Sequence, residues 1–260
     1  MLNTLAKGMK TTFSPKVIVH ELTSLTVKEK FFLCAWVLVQ TAAFLLAGDF
    51  SVLGWIGVAT GIFTALSLIL VNRGLITNYF WGLLSTFAWL LVALHTRLIG
   101  DLSSQTFYFV MQFIGIAIWF KQMNQAESNH VHARKLTALQ WLGVGILCLV
   151  IYVLNVLVAK HFHGTQIFLD ATLLPLGIVG QILMTYSYVG QWFFWILIDA
   201  VNVVIWTNNL LAQGATGAVV SMFILNILML ANAVYGTYCW VSDAKKTAIE
   251  IKKGTVYANE

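Results

Sequence analysis

Charged residues and proline are both scarce in this sequence. Asp, Glu, Lys and Arg make up 10% of the 260 residues, against 59% hydrophobic residues, whereas soluble domains carry about 25% charged residues. Two prolines, and the lack of Ser- or Gly-rich stretches, exclude long flexible linkers. The composition therefore predicts an integral membrane protein rather than a large soluble domain.

Motifs for catalysis, metal binding and disulfide formation are also lacking. The three cysteines lie inside apolar runs and form no Cys-x-x-Cys pair, which is typical of small buried side chains. There is no Gly-rich phosphate loop, nucleophile elbow or pair of intramembrane carboxylates, so we expect no enzyme. No Cys or carboxylate cluster accompanies His130-x-His132 or His161-x-His163, so we expect neither a metal nor a cofactor.

Basic residues predict the orientation in the membrane. If the N-terminus is cytoplasmic, all of the 15 Lys and Arg except Arg97 and Lys160 fall on the cytoplasmic side. Such a bias predicts that both termini are cytoplasmic and that the number of helices is even. The basic residues lie at helix ends and termini, so the net charge of +5 does not indicate nucleic-acid binding. We expect no cleaved signal peptide, because a polar, lysine-bearing segment of about thirty residues precedes the first apolar run, which is too long for the start of a signal peptide.

Eight apolar runs follow a mixed N-terminal segment, in which Ser14-Pro15 predicts the start of a short amphipathic helix on the membrane surface. A helix needs about 20 residues to cross a bilayer, so we expect the short fourth run to extend into its flanks. The predicted spans are Phe31–Ala47, Val52–Val71, Leu75–Thr96, Gln105–Phe120, Leu136–Ala159, Ala171–Tyr188, Gln191–Leu211 and Gly217–Val241. The connections are short and predict antiparallel neighbours.

The second to fourth runs resemble the sixth to eighth. The matching segments are Gly115-x3-Trp119 with Gly236-x3-Trp240, Gln105 with Asn226, and Asn78-x2-Trp81 with Trp192-x2-Trp195. Because a single helix connects them, the two three-helix bundles have the same orientation in the membrane and are related by an axis along the membrane normal. The alternative is a duplicated packing unit with no transport path.

The predicted fold is therefore all-α, with eight transmembrane helices in a 3+1+3 arrangement plus an extra N-terminal helix. The expected divisions are a cytoplasmic N-terminal segment (1–30), the extra helix (31–47), a first bundle (50–122), a linker helix (135–160), a second bundle (168–242) and a cytoplasmic tail (243–260).

Polar and aromatic residues form one stripe on a helical wheel of the seventh run. This second-half stripe consists of Trp192, Trp195, Asp199, Asn202, Trp206 and Asn209, at alternating steps of three and four. An ionisable side chain at mid-span costs about 2.5–3.5 kcal/mol to insert, so it usually faces a cavity or a partner. We interpret the stripe as one wall of a substrate site; the alternative is an interhelical contact that only holds the bundle together.

A first-half stripe occupies the fourth run. It consists of Gln105, Tyr108, Gln112, Gly115 and Trp119. In the sixth run, Gln181 follows Pro175, which removes a backbone hydrogen bond. The candidate site residues are Gln105, Gln112, Gln181, Trp192, Trp195, Asp199, Asn202 and Asn226. Indoles stack on flat or cationic rings and amides bind hydroxyls, so we expect a planar, polyhydroxylated, neutral or cationic ligand.

Three segments resemble the PnuC family of bacterial nicotinamide riboside transporters over about residues 50–242. They are NYFWGLLSTF, Gln105-x6-Gln112-x2-Gly115-x3-Trp119, and ILMTYSYVGQWFFWILIDAVNVVIW. The resemblance implies a fold similar to SWEET sugar transporters, location in the inner membrane, and facilitated diffusion of nicotinamide riboside, which cytoplasmic phosphorylation then traps. The extra first helix departs from shorter relatives.

Other interpretations remain open at this point. The same fold could transport another vitamin, a nucleoside or a small sugar. An intramembrane enzyme or haem protein would have to use His95 and Asp199, which do not form a catalytic constellation. The expected partners are the substrate and the lipid bilayer. Small membrane-facing residues permit packing between copies, and we expect a homo-oligomer, specifically a trimer.

Overall fold

The fold is α-helical throughout the part of the chain that the structure, a computed structural model, describes: residues 2–48, 50–96, 99–161, 167–213 and 217–252. The helices are α1 (Leu2–Thr12), α2 (Pro15–Ser24), α3 (Val27–Ala47), α4 (Val52–Asn72), α5 (Asn78–Thr96), α6 (Ile99–Gln125), α7 (Ala138–His161), α8 (Ile167–Thr185), α9 (Gln191–Gln213) and α10 (Gly217–Lys252). The eight apolar runs correspond to α3–α10, which confirms the all-α class. The fourth run extends at both ends, as predicted.

Five of the described helices are long and apolar enough to cross a membrane. These segments are Val27–Leu46, Val52–Asn72, Ala138–Leu157, Gln191–Ala212 and Met222–Ile249. The other three predicted spans, in α5, α6 and α8, contain buried polar side chains such as Asn78, Gln112 and Gln181. In α8 the described apolar segment, Thr172–Thr185, is shorter than a membrane-spanning helix.

Helix α3 begins earlier than predicted because of a capping box. The Thr26 N–H donates to Glu29 Oε2 at 2.7 Å, and the Glu29 N–H donates to Thr26 Oγ1 at 3.3 Å. This reciprocal arrangement satisfies two donors at the helix start. The Glu29 carboxylate also accepts from Arg73 Nη1 at 3.3 Å and from the Tyr235 hydroxyl at 3.1 Å. The first turn of α3 is therefore bonded to the end of α4 and to α10.

The helices that are neighbours in sequence pack against each other in two groups of three. Helix α5 packs between α4 and α6, and α9 packs between α8 and α10. Contacts between the halves join α6 to α8 and α4 to α10. Helix α3 packs on α4 and α10, and α7 packs on α8.

Two indole hydrogen bonds repeat between the halves. The Trp119 Nε1–H of α6 donates to the Met184 carbonyl of α8 at 3.2 Å, and the Trp240 Nε1–H of α10 donates to the Val71 carbonyl of α4 at 2.8 Å. In each case the third helix of one half binds the last turn of the first helix of the other half. The Gly-x3-Trp motifs are therefore equivalent in three dimensions.

The glycines of these motifs accommodate a ring from the middle helix of the same half. A Cβ at Gly115 would overlap the Tyr79 ring, and a Cβ at Gly236 would overlap the Trp192 ring. Tyr79 and Trp192 are each the second residue of their helix. The predicted match of Asn78 with Trp192 is therefore wrong by one residue; Asn78 corresponds to Gln191.

The N-terminal segment folds against the bundle. Helix α2 begins at Pro15 with Ser14 at its N-cap, as predicted, but α1 was not predicted. Helix α1 packs on α6, where a Cβ at Gly8 would lie 2.9 Å from Ile116 Cγ2 and 3.1 Å from Phe120 Cβ. From α2, the buried Glu21 carboxylate accepts hydrogen bonds from the Thr77 N–H, at 3.0 Å, and the Thr77 hydroxyl.

The segment between α6 and α7 joins several connections at one end of the bundle. The Val131 N–H donates to the Gly74 carbonyl at 3.0 Å, and the Arg134 N–H donates to the Ser187 carbonyl at 2.8 Å. The Ala133 N–H donates to Asp243 Oδ2 at 2.8 Å. Helix α10 therefore does not end at Val241 but continues to Lys252, because its extension packs against this segment.

Candidate functional site

Tyr108 of the first-half stripe lies where α6 meets the second half. Its hydroxyl lies against Gly177 of α8, where a Cβ would overlap the oxygen. The Tyr108 ring centroid is 6.5 Å from that of Trp195 on α9. Trp195 in turn packs on α8, where a Cβ at Gly180 would lie 3.3 Å from Trp195 Cε2. The structure thus brings one predicted site residue, Trp195, against a tyrosine that was not among the candidates.

Gln112 lies one turn beyond Tyr108 and is buried against α5. A Cβ at Gly82 would lie 2.9 Å from both Nε2 and Oε1 of the Gln112 amide. Gln112 is 7% exposed, and its Oε1 has no hydrogen-bond partner among the described residues. A side chain at position 82 would displace this amide, so Gly82 of the NYFWGLLSTF segment helps to fix its position.

Two further candidates are buried polar groups on the second half. Gln181 is 4% exposed and Asp199 is 3% exposed. Gln181 Nε2 and Asp199 Oδ1 have no partner among the described residues. An unsatisfied buried donor or acceptor costs about 1–3 kcal/mol, and more when charged. Along the chain, Gln181 follows Gly180, which contacts Trp195, and Asp199 lies one helical turn after Trp195.

Trp192 has a different environment from Trp195. It is 2% exposed, its ring packs edge-on against Trp240 at 6.1 Å, and it belongs to the core cluster that also contains Trp119. Its Nε1–H has no partner among the described residues. In this conformation Trp192 packs against α10 as part of the core cluster, and its role in a substrate site stays a prediction.

The remaining candidates are not joined to this group by a described contact. Gln105, Asn202 and the stripe residue Trp206 are half-buried. Asn226 is buried, and its Nδ2–H donates to the Met222 carbonyl of its own helix at 2.8 Å. The side chains of Asn209 and His95 lie outside the described residues.

Sequence reasoning missed several buried polar residues near the ends of helices. Asn72 of α4 donates through Nδ2 to Asn232 Oδ1 of α10 at 2.8 Å, which joins the halves. Tyr79, Thr185 and Gln191 are completely buried and have side-chain polar atoms without a partner among the described residues. In a sequence, polar residues beside a connection between helices are usually taken to be exposed to solvent, and for this reason these residues were missed.

The expectation that no carboxylate accompanies His130 and His132 is wrong. Asp243, from the extension of α10, lies with Oδ1 3.6 Å from His130 Nε2 and with Oδ2 3.9 Å from His132 Nδ1. The carboxylate was missed because it is distant in sequence. The predicted pair His161 and His163 lies outside the described side chains.

Two cavities lie at the end of the bundle where the connections meet. One has a volume of about 520 Å³, and its lining includes Arg73, His130 and Asp243. The other has a volume of about 950 Å³, and its lining includes Leu5, Phe113 and Arg134. Tyr108, Gln112, Trp195 and Asp199 line neither cavity, so the group around Trp195 is a separate feature.

Comparisons with known proteins cover most of the chain. The family model for nicotinamide mononucleotide transporters matches residues 51–242, from the N-cap of α4 to the last turns of α10. The nicotinamide riboside transporter PnuC of Neisseria mucosa is 28% identical over 196 residues, which cover 74% of each chain. The protein of the same name from Haemophilus influenzae is 27% identical over 221 residues, covering 84% of this chain and 92% of the relative.

A solved structure is similar over nearly the whole chain. The crystal structure of the vitamin B3 transporter PnuC aligns with a TM-score of 0.76 at 27% sequence identity, covering 90% of this chain and 99% of that chain. The alignment therefore extends beyond the two halves into the N-terminal helices.

Proposed function

This chain belongs to the nicotinamide mononucleotide transporter family, and from that membership we propose that it transports nicotinamide riboside across the bacterial inner membrane. The observation that supports this most directly is the set of buried polar atoms without partners among the described residues on α6, α8 and α9, the helices that meet at Tyr108 and Trp195. Polar groups of this kind inside a membrane are expensive, and they usually belong to a substrate or ion pathway. Gln112, Gln181 and Asp199 are the members that we assign to binding.

The chemistry of nicotinamide riboside suits these side chains. The pyridinium ring is flat and cationic, so Trp195 and Tyr108 can interact with its face, at about 0.5–2 kcal/mol for each ring. The Gln112 and Gln181 amides can bind the carboxamide and the ribose hydroxyls. Asp199 is a buried carboxylate, and a cation bound nearby would offset part of its desolvation cost.

The absence of basic residues argues against the phosphorylated substrate that the family description names. In the sequences of α4, α5, α8 and α9 there is no Arg or Lys, and in α6 the only one is Lys121, near its C-terminal end. A phosphate would bring up to two negative charges at neutral pH and would normally require an Arg or Lys. We therefore assign the substrate as the nucleoside, without its phosphate.

We further assign α4–α6 and α8–α10 to two bundles that α7 joins in a SWEET-like arrangement. With α3 as the extra helix, the protein has eight transmembrane helices. Both termini are then in the cytoplasm. The repeated Trp119 and Trp240 hydrogen bonds support equivalence of the halves. The connection contacts made through Val131, Arg134 and Ala133 support a common side for the lysine-rich segments. Reporter fusions at the C-terminus and within residues 162–166 should give opposite sides of the membrane.

Alternating access is the mechanism that we propose for facilitated diffusion. The two indole hydrogen bonds and the contact between Trp119 and Trp240 close the bundle at the end where the connections meet. A substrate bound near Trp195 would leave on that side only after these contacts separate. The opposite opening would require separation of the halves at their other end.

The test is isothermal titration of the purified protein with nicotinamide riboside and with its phosphorylated form. We expect tight binding of the first ligand and none of the second. Trp195→Ala and Gln112→Ala should abolish tight binding, because they remove a ring contact and an amide. Trp55→Ala, which removes an indole that is 55% exposed on α4, should bind like the wild type.

Three results would contradict the proposal. They are wild-type affinity in both site variants, tighter binding of the phosphorylated form, and equal competition by thiamine, other nucleosides or hexoses. The last result would favour another substrate for the same fold. Elution of each variant as a single species in size-exclusion chromatography provides the folding control.

We also propose that the protein is a homo-oligomer, with a trimer as the expected form. Helix α7 supports this, because Leu142, Ile146 and Leu149 are exposed and a Cβ at Gly143 or Gly145 would meet no atom within 4 Å. Light scattering of the detergent-solubilised protein would measure the mass, and a monomer would contradict this assignment.

A further inference from the structure

Three potential metal ligands meet where the segment between α6 and α7 contacts the extension of α10. One ligand atom from each of His130, His132 and Asp243 lies within 4.8 Å of the other two. The closest approaches to the carboxylate are 3.6 Å from His130 Nε2 and 3.9 Å from His132 Nδ1. The two histidine rings have centroids 4.8 Å apart and are inclined at 66°. The two imidazoles thus approach one carboxylate from different directions.

Neighbouring groups orient these side chains. The Ser128 hydroxyl lies 3.2 Å from His130 Nδ1, which leaves Nε2 directed at the carboxylate. The Ala133 N–H donates to Asp243 Oδ2 at 2.8 Å and holds the carboxylate in place. Outer contacts of this kind fix the tautomer and the orientation of metal ligands. The Thr247 hydroxyl, 3.3 Å from His132 Nδ1, is a competing partner for that nitrogen.

We propose that His130, His132 and Asp243 bind one divalent transition-metal ion of the zinc class. Two imidazoles and a carboxylate suit Zn²⁺, Co²⁺ or Ni²⁺, whereas Mg²⁺ and Ca²⁺ prefer sites made of oxygen atoms. Ligand atoms around tetrahedral Zn²⁺ are about 3.3 Å apart, as follows from bonds of about 2.0–2.1 Å. The three side chains therefore need to close by about 1 Å or less on average. Three protein ligands leave a fourth position for water.

The surroundings permit entry of a cation. The side chains of His130 and Asp243 are 39% and 28% exposed, and both line the cavity of about 520 Å³. Two basic side chains, Arg73 and Lys246, line the same cavity. Arg73 is paired with Glu29 at 3.3 Å, so the main opposing charge is Lys246. Lys246→Gln should therefore tighten metal binding.

A bound ion would connect the two parts of the chain that the site joins. The segment with the histidines already bonds to the connections after α4 and α8, through Val131 and Arg134. Asp243 belongs to the last helix of the second half. The ion would therefore fix α10 to the segment that links the halves, and it should raise the melting temperature, because it binds the folded chain.

The experiment uses full-length protein without a histidine tag, treated with a chelator and titrated with ZnCl₂ by calorimetry. CoCl₂ gives a second, spectroscopic measurement through its visible absorption bands. We expect one ion per chain. His130→Gln, His132→Gln and Asp243→Asn should each weaken binding by about tenfold or more, and Ser128→Ala by about tenfold. His20→Gln, at an exposed histidine of α2, is the matched control and should bind like the wild type.

Several outcomes would overturn the proposal. They are no binding by the wild type, binding unchanged in all three ligand variants, an equal loss in the His20 control, and displacement of Zn²⁺ by millimolar Mg²⁺ or Ca²⁺. Asp243→Asn can still accept from the Ala133 N–H, so it separates metal binding from the structural role of the carboxylate. None of these measurements depends on the transported substrate.

Discussion

Gly236→Ala is the sharpest test of the packing that the two halves share. A Cβ at this position would overlap the Trp192 ring and lie 2.5 Å from Asn72 Oδ1. Trp192 is 2% exposed and packs against Trp240, so its ring has little space to move. Overpacking a closed core costs about 1–3 kcal/mol, and replacing a helical glycine with alanine recovers about 0.5–1 kcal/mol. We expect a net loss of about 0.5–2 kcal/mol, or about 2–6 °C in melting temperature.

The measurement is thermal unfolding followed by circular dichroism in one detergent, with two companion variants. Gly143→Ala on α7 meets no atom within 4 Å, so it should melt at the wild-type temperature or slightly above. Trp192→Phe removes the ring atoms that the new Cβ would overlap. The double variant Gly236→Ala/Trp192→Phe should therefore be more stable than the sum of the single effects predicts, by about 0.5 kcal/mol or more.

Two results would refute this reasoning. If Gly236→Ala melts like the wild type, Trp192 moves more easily than its burial indicates. If the two substitutions are simply additive, the glycine is not required by the indole, and the equivalence with Gly115 and Tyr79 has no energetic basis.

Three further perturbations follow from described contacts. Trp240→Phe removes an indole hydrogen bond of 2.8 Å and should lower the free energy of unfolding by about 1 kcal/mol. The control Trp55→Phe, at an exposed position, should lower it by less than about 0.5 kcal/mol. Thermal unfolding followed by circular dichroism measures both. Burial raises the pKa of Glu21 above its ordinary value of 4.5, although hydrogen bonds from Thr77 oppose the rise. The stability that this carboxyl contributes is therefore lost as pH rises above 4.5 through the folded-state pKa, and Glu21→Gln should reduce the fall in melting temperature over that range. Asp199→Asn should weaken binding of nicotinamide riboside by about fivefold, corresponding to about 1 kcal/mol, as measured by calorimetry; unchanged affinity would show that the carboxylate does not interact with the cation.

Much of the fold could be predicted because membrane helices have a strong local signal. Most of the runs that became α3–α10 are long and continuous, so their apolar character marks them as helices in the sequence. The N-terminal helix α1 has no such signal, since its sequence is a mixture of polar and apolar residues and its partner Ile116 lies far along the chain. The start of α3 could have been predicted, because Thr26-x2-Glu29 has the spacing of a capping box.

The candidate site was predicted less completely, for a physical reason. Helical periodicity places Gln112, Trp195 and Asp199 on polar faces, but it does not say which helix each face meets. Trp192 and Trp195 share a stripe, yet Trp192 packs against Trp240 and Trp195 packs near Tyr108. Contacts between distant residues decide such differences. The approach of Asp243 to the two histidines is another contact of this kind.

The contacts that close the bundle are suited to repeated opening. The contacts that join the halves at this end include two indole–carbonyl hydrogen bonds, the pair Asn72 and Asn232, the hydrogen bond from the Ser187 hydroxyl to Gln122 Oε1, and aromatic packing around Trp119 and Trp240. Hydrogen bonds between membrane helices contribute about 0.6 kcal/mol on average, so separating these four costs about 2–2.5 kcal/mol. Separating a buried ion pair would cost more, since each charge would lose its partner in a medium of low dielectric constant. The ion pair between Arg73 and Glu29 joins α4 to the start of α3, so it stays intact if α3 moves with α4; the contacts that then break are those of α3 with α10, including the hydrogen bond from the Tyr235 hydroxyl to Glu29.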